Sequence, residues 1–403
     1  MRLPAPGRLG LACIPGAISG AVAAWGVSTA SWGSLGVPNP GIHFGDLRVV
    51  LTAAECAAQD PGWSIASSPC LPGMAIYNYP SLWAKALAWV GADATWASSV
   101  AILLIVIFVI SIVALAYLAL GTSRTWFPIA ALSVAAISPP ALLAFERGNI
   151  DQAVFGVLTA SIVVYCLGAA RSSGLLLAVA TALKLFPLGA APMLLLDRAK
   201  TRGAVVVYGI ATLAGLALVV RDLPLIASRT PQLDGASFGA AELPLLAWTR
   251  LGWTTSGPGY KAVGLLLLIA GIAAVAIAIG AIARRKPTNA WSSLVGGLAD
   301  DRTAASLVTA GGGAFLMAYL VGPSFDYRLI FLIPAIAGFS RIASPIGMTA
   351  AVVLLVQMLV SYSTFVGAAQ YISDLMLLVV APALLILIVQ VVRRSRATGM
   401  LPD

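Results

Sequence analysis

Residues 98–120, SSVAILLIVIFVISIVALAYLAL, run for 23 positions without one charged side chain. About 20 such residues cross the roughly 30 Å hydrocarbon layer of a bilayer as an α-helix. Comparable runs occupy 203–220, 262–283 and 303–321, and 371–392 is interrupted only by Asp374. Backbone polar groups inside lipid must be satisfied within their own segment, so these runs are expected to be helices. The strict alternation of a membrane β-barrel is absent. Charged residues make up 10% of the chain, against about 25% in soluble domains. The sequence therefore reads as an all-α polytopic transmembrane protein, with 1–403 forming a single integral membrane domain.

The first apolar stretch, 9–29, follows Arg2 and Arg8. A cleaved signal peptide is the competing reading. Pro15, several glycines and the many later spans favour an uncleaved first span. The net charge of +9 does not point to nucleic acid, because the Arg and Lys residues cluster in short loops between spans. With the N-terminus inside, fifteen Arg/Lys fall on the inner side and eight on the outer. That excess sets orientation and places both termini in the cytoplasm of a cell whose membrane holds the chain. The walk gives about 12 membrane helices: 9–29, 98–120, 126–145, 152–170, a two-helix hairpin over 173–197, 203–221, 261–283, 303–321, 329–341, 346–364 and 371–392. Pro139-Pro140 should kink the third span or end its regular part. The hairpin is inferred because both its flanks are basic, with Pro187 and Gly189 suiting a bend near Lys184.

The outer loops are long and hold most acidic residues and many aromatics. Residues 30–97 form a long first extracytoplasmic loop with surface helices, and 222–260 form a second. Apolar side chains at helical spacing over 46–58 predict a helix that Asp46 either caps or carries as a carboxylate able to take a proton from a hydroxyl. His43, Arg48, Tyr77 and Tyr79 lie in the same loop as candidate substrate contacts. Cys56 and Cys70 face an oxidising compartment and are disulfide candidates. With one histidine, His43, and no CxxC, no metal site is assigned. A divalent cation beside Asp46, from Glu55, Glu146, Asp151 or Asp326, stays open.

Three further polar points interrupt lipid-buried sequence. Glu146-Arg147-Gly148-Asn149-Ile150-Asp151 follows the third span and reads as a site or as a tight polar turn. Lys184 is a lone cation in the apolar hairpin, where function is the default and snorkelling to the interface the alternative. Phe325-Asp326-Tyr327-Arg328 ends the ninth span, where Arg328 suits a phosphate or an interfacial anchor. The topology brings all of these near the outer surface.

These motifs resemble the polyprenol-phosphate-dependent glycosyltransferases of the GT-C class, and within it glycosyltransferase family 87. The resemblance rests on Asp46-Leu47 in the first loop, Arg147-Gly148-Asn149 after the third span, and Lys184 to Pro187 in the hairpin. It departs at Gly322 to Arg328, where Tyr327-Arg328 stand in place of the paired histidines many members carry. The resemblance implies a GT-C-like fold, an extracytoplasmic site, a polyprenyl-phosphate sugar donor, a glycolipid or glycan acceptor and inversion at the anomeric carbon. It implies Asp46 as general base. Arg328, Arg147 and Lys184 are then the expected donor-phosphate ligands. His43, Arg48, Glu146, Asn149, Asp151, Tyr77, Tyr79, Asp326 and Tyr327 are the expected substrate-binding set. No cofactor is expected; the partners are the lipid donor, the acceptor and membrane lipids. The rival readings are a lipid-linked sugar flippase, a polysaccharide polymerase or ligase, and an assembly scaffold.

Overall fold

The computed structural model describes residues 6–37, 43–60, 62–65, 77, 79–121, 125–197, 201–229, 237–238, 289–321, 324–342, 344–361 and 369–398. Among them the chain is almost entirely helical. Five helices are long and apolar enough to cross a membrane: Gly7–Thr29, Ala94–Leu120, Thr201–Val219, Arg302–Leu320 and Ile372–Ala397. A sixth crossing arises if Phe127–Ala136 and Pro139–Arg147, bent by 43°, count as one broken span. By length and composition this is a multi-pass membrane protein. Large apolar side chains such as Ile110, Ile210, Leu213 and Val379 stand exposed on these helices. In water that would be a liability; facing acyl chains it is the expected surface.

The expected count of about 12 is not reached among the described residues, for two reasons. The span at 261–283 and most of the second outer loop lie outside them. Other expected spans are short helices, Asp151–Cys166, Ala170–Leu183, Phe186–Leu195 and Pro345–Val360. At 1.5 Å per residue a 16-residue helix covers about 24 Å, less than the hydrocarbon layer.

We number the α-helices in chain order: α1 Pro6–Thr29, α2 Gly45–Gln59, α3 Ser81–Trp89, α4 Ala97–Leu120, α5 Phe127–Ala136, α6 Pro139–Arg147, α7 Asp151–Cys166 and α8 Ala170–Leu183. The third span breaks where expected. Ser138 is extended and Pro139-Pro140 open α6, where their missing N–H groups cost nothing. The segment expected as a hairpin breaks near Lys184 into two short arms, α8 and Phe186–Leu195, the second a 3-10 helix. Pro187 and Pro192 remove donors an α-helix would need. Between the arms Lys184 is extended, with φ −153° and ψ 145°.

The helix Arg302–Val321 is the central one, mostly buried. The 3-10 arm packs on it so closely that a Cβ at Gly189 would run into the Gly313 carbonyl, and one at Gly313 into that of Gly189. Small residues permit such backbone contact between helices in lipid. Beyond the C-terminal end of this helix, Ser324–Phe325 pairs antiparallel with Ser237–Phe238. A 3-10 turn, Asp326–Phe331, follows and leads into the helix Leu332–Arg341.

The segment between α1 and α4 builds a small apolar core, joined by Ile150. Val50, Cys56, Trp63, Ile65, Tyr77 and Ala84 are buried together between α2 and α3. Cys56 is disulfide-bonded; its candidate partner Cys70 lies outside the described residues. Cys13 and Cys166 are free.

On the opposite side of the bundle, basic residues fasten helix ends. Arg341 donates from Nε to Asp301 at 2.7 Å and from Nη1 to the Leu118 carbonyl at 2.5 Å. Arg8 donates to the Gly121 carbonyl. Both arginines thus satisfy the negative C-terminal end of α4, and Asp301 caps the next long helix through Ala304 N at 3.0 Å.

Candidate functional site

Two local turns create the site. The first ends α6. Gly148 takes φ +58°, Asn149 N bonds the Ala144 carbonyl and Gly148 N that of Phe145, both at 3.0 Å. This is a Schellman ending, which favours glycine. Here glycine is required twice, because a Cβ would also sit 3.0 Å from the Phe44 Cβ and 3.2 Å from that of Leu47. The second turn starts α2. Phe44 is left-handed, with φ 56° and ψ 39°, a conformation that L-residues adopt uncommonly. Its N–H is fixed by the Glu146 carbonyl at 2.9 Å. The end of α6 and the start of α2 therefore hold each other.

This geometry decides between the two alternatives for Asp46. The N-cap position is Phe44, and Asp46 is the second helical residue. Its carboxylate is not spent on capping. Oδ2 accepts from Asn149 Nδ2 at 2.6 Å, and Oδ1 lies 4.0 Å from Arg147 Nη1. Asn149 also accepts from Asp151 N through Oδ1 at 2.8 Å, so one amide side chain ties Asp46 to the first turn of α7.

Asp151, fully buried, is the second centre. Lys184 Nζ pairs with its Oδ1, and Arg328 Nε lies 3.4 Å from its Oδ2. Arg328 is braced by Ser324, whose Oγ accepts from Nη1 at 2.8 Å. Aromatic rings flank both cations. Lys184 Nζ stands 4.8 Å from the Tyr79 ring centre, and the Arg328 guanidinium 5.4 Å from that of Phe186. Desolvated cation–π contacts of this type are worth about 2 kcal/mol. Lys184 and Arg328 are 11% and 14% exposed, whereas Asp46 and Arg147 are 27% and 28% exposed. The site thus has an open edge at Asp46 and a deeper cationic pair.

Burial raises the Asp46 pKa above the ordinary carboxylate value, working against Arg147, the Asn149 hydrogen bond and Lys184, which lower it, while Asp151 adds to the rise. Asp46 is thereby a stronger base than a solvated aspartate. Burial also holds the Tyr79 phenol well above its usual range, so it stays protonated.

The structure gathers Asp46, Arg147, Asn149, Asp151, Lys184, Tyr79 and Arg328 at one point. Tyr327 joins them, buried and hydrogen-bonded to Asn149. Other expected contacts lie elsewhere. Tyr77 is buried in the loop core, donates to the Pro80 carbonyl at 2.8 Å and meets Trp63 edge-on at 5.4 Å. Arg48 turns back to donate to the His43 carbonyl at 3.0 Å, and the His43 ring lies 6.4 Å from that of Phe44. Glu146 is fully buried behind Arg147, 3.5 Å from its Nε. Asp326 is fully buried within its 3-10 turn. Glu55 accepts from Ala94 N at 2.7 Å, and among the described residues no three His, Cys, Asp or Glu side chains come together as a metal-holding group.

Three contributors have no strong sequence signal. Ser324 lies inside the Gly322 to Arg328 stretch, Phe186 sits inside the Lys184 to Pro187 motif, and Phe44 precedes the Gly45-Asp46 pair. Only their nearness to motif residues marked them. The chain matches no protein-family model, no curated protein and no solved structure.

Proposed function

We propose that this chain is an inverting GT-C-type glycosyltransferase. It moves a sugar from a polyprenyl-phosphate donor to a lipid or glycan acceptor at the outer face of the cell membrane. The observation that carries the reading is the coupling of Asp46 to the Lys184–Arg328 pair through Asn149 and Asp151. A base and a buried cationic pair side by side are what such a transfer needs.

In this mechanism the Asp46 carboxylate takes the proton of an acceptor hydroxyl. The hydroxyl oxygen attacks the anomeric carbon from the face opposite the phosphate. The anomeric C–O bond breaks, and its electron pair leaves on the phosphate oxygen. Lys184 and Arg328 offset the charge of the departing lipid phosphate. Two cations share one buried carboxylate, a pair suited to hold the anionic phosphodiester of the donor. Arg147, first expected at the phosphate, is engaged by Asp46 and Glu146 and serves the base instead. The 12-helix GT-C-like topology, with both termini cytoplasmic, completes the proposal.

A lipid-linked sugar flippase is the second reading, favoured by the broken hairpin at Lys184, since transporters use interrupted helices. Purified protein in vesicles with labelled polyprenyl-phosphate sugars separates the two. Release of free lipid phosphate only when acceptor is present supports transfer. Passage of intact donor across the bilayer without bond cleavage overturns it.

A further inference from the structure

Glu146 is the least explained group near the site. Its side chain has no exposed surface, and neither carboxylate oxygen has a hydrogen-bond partner among the described residues. Burying a carboxylate in this way costs several kcal/mol unless a charge compensates it. The compensating charge is Arg147, whose Nε lies 3.5 Å from Oε2. The far side of the same guanidinium, Nη1, faces Asp46 Oδ1 at 4.0 Å. The guanidinium lies beside Gly45, where a Cβ would come 3.4 Å from Nη1. One cation therefore lies between two carboxylates, one buried and one at the open edge.

We propose that Glu146 is a positioning residue that neutralises Arg147 from behind, so that Arg147 orients Asp46 without taking away its capacity to accept a proton. This rests on the reading of Asp46 as the base. Burial lifts the Glu146 carboxyl to about 7, with Arg147 working against the rise; above that pH Glu146 is ionised and offsets Arg147, and below it, or without Glu146, the full charge of Arg147 bears on Asp46. An opposite charge at 4–6 Å favours the ionised carboxylate and weakens it as a base by about one to three pH units. Glu146 at the same time fixes the Phe44 turn, but through its backbone carbonyl, which a side-chain change leaves in place. The other ionisable groups facing Asp46 are Asp151 on α7, Lys184 in the hairpin, Arg328 and Tyr327 on the 3-10 turn, and Tyr79 in the outer loop. Asp326 shares that 3-10 turn, which packs against α6. None of these stands between Glu146 and Arg147.

The test is the pH dependence of kcat/KM in Glu146→Gln, Arg147→Gln and the double variant, with a polyprenyl-phosphate sugar as donor and Asp46→Asn as control. The parent profile should bend near the Glu146 value of about 7 as well as at Asp46, and Glu146→Gln should remove that bend and lower the plateau, with donor KM little changed. Arg147→Gln should move the Asp46 limb up, and the double variant should show the raised limb without the bend. A merely structural Glu146 would lower activity with the shape of the profile unchanged, and that result overturns the proposal. If Glu146→Gln does not fold, Arg147→Gln alone decides, since an unmoved limb there removes the coupling. An active Asp46→Asn would instead sink the reading of Asp46. An inactive Asp46→Asn with no shift in the other variants would sink only the role of Glu146.

Discussion

Asn149 donates to Asp46 at 2.6 Å across 103 positions of sequence. It accepts from the backbone of Asp151 with its other terminal atom. The side chain is thus fixed at both ends and cannot flip without losing both bonds. Asn149→Ala should leave Asp46 free to rotate. A hydrogen bond to a charged group is worth about 1.5–3 kcal/mol, so kcat should fall roughly 10- to 100-fold. Asn149→Asp should fall further, because it sets a like charge against Asp46. Steady-state kinetics on the three proteins checks the order.

Asp46→Asn should abolish transfer, with a loss of about 10²- to 10⁴-fold as for other general bases. Donor binding should persist, because the cationic pair is untouched. The pH behaviour follows from the raised proton affinity of Asp46. Its base form is lost, as pH falls, at a higher pH than for a solvated aspartate, so activity should decline early on the acid side. For stability the sign is reversed. A buried carboxylate with a raised folded-state pKa favours the fold while protonated, and that contribution is lost as pH rises through the folded value. Asp46→Asn should therefore be no less stable than the parent at neutral pH. A clear drop in melting temperature there would contradict this assignment.

The helical membrane class and the break at Pro139 were legible because both follow from local rules, apolar length and the missing proline donor. Lys184 and Arg328 were each visible as cations out of place in apolar sequence. Their shared partner Asp151 was not, since nothing in the spacing of 151, 184 and 328 reveals one carboxylate between two cations. The choice between the two readings of Asp46 was closed to the sequence for a related reason. Helical periodicity locates α2, but the left-handed Phe44 is imposed by the distant Glu146 carbonyl. Tyr77 and Tyr79 looked alike as loop aromatics, yet one faces Trp63 and the other Lys184. That division depends on tertiary packing alone.

Asp151→Asn should be the most damaging single change at the site. It leaves two cations desolvated and facing each other without a counter-charge. Removing one partner of a buried ion pair costs about 3–5 kcal/mol. Pairing the change with Lys184→Met should restore part of the stability, because one of the two stranded charges is gone. Lys184→Met alone should weaken donor binding more than acceptor binding. Thermal unfolding of the single and double variants, with donor titrations, tests both points.

Gly148→Ala separates the scaffold from the chemistry. The left-handed backbone costs an L-residue about 1–2 kcal/mol. The added Cβ would also press on Phe44 at 3.0 Å and Leu47 at 3.2 Å, both buried at the start of α2. Those neighbours cannot move without tilting the first turn of α2, and Asp46 is in that turn. The variant should lose stability modestly and kcat severely, although residue 148 has no side chain at the site. By contrast, Arg341→Ala cuts the bonds to Asp301 and Leu118 on the far side of the bundle. It should lower the melting temperature and leave turnover per folded molecule unchanged. Measuring stability and kcat for both variants decides whether the α6–α2 contact acts on the base. Equal losses of kcat in the two would show that general loosening, and not displacement of Asp46, limits the reaction.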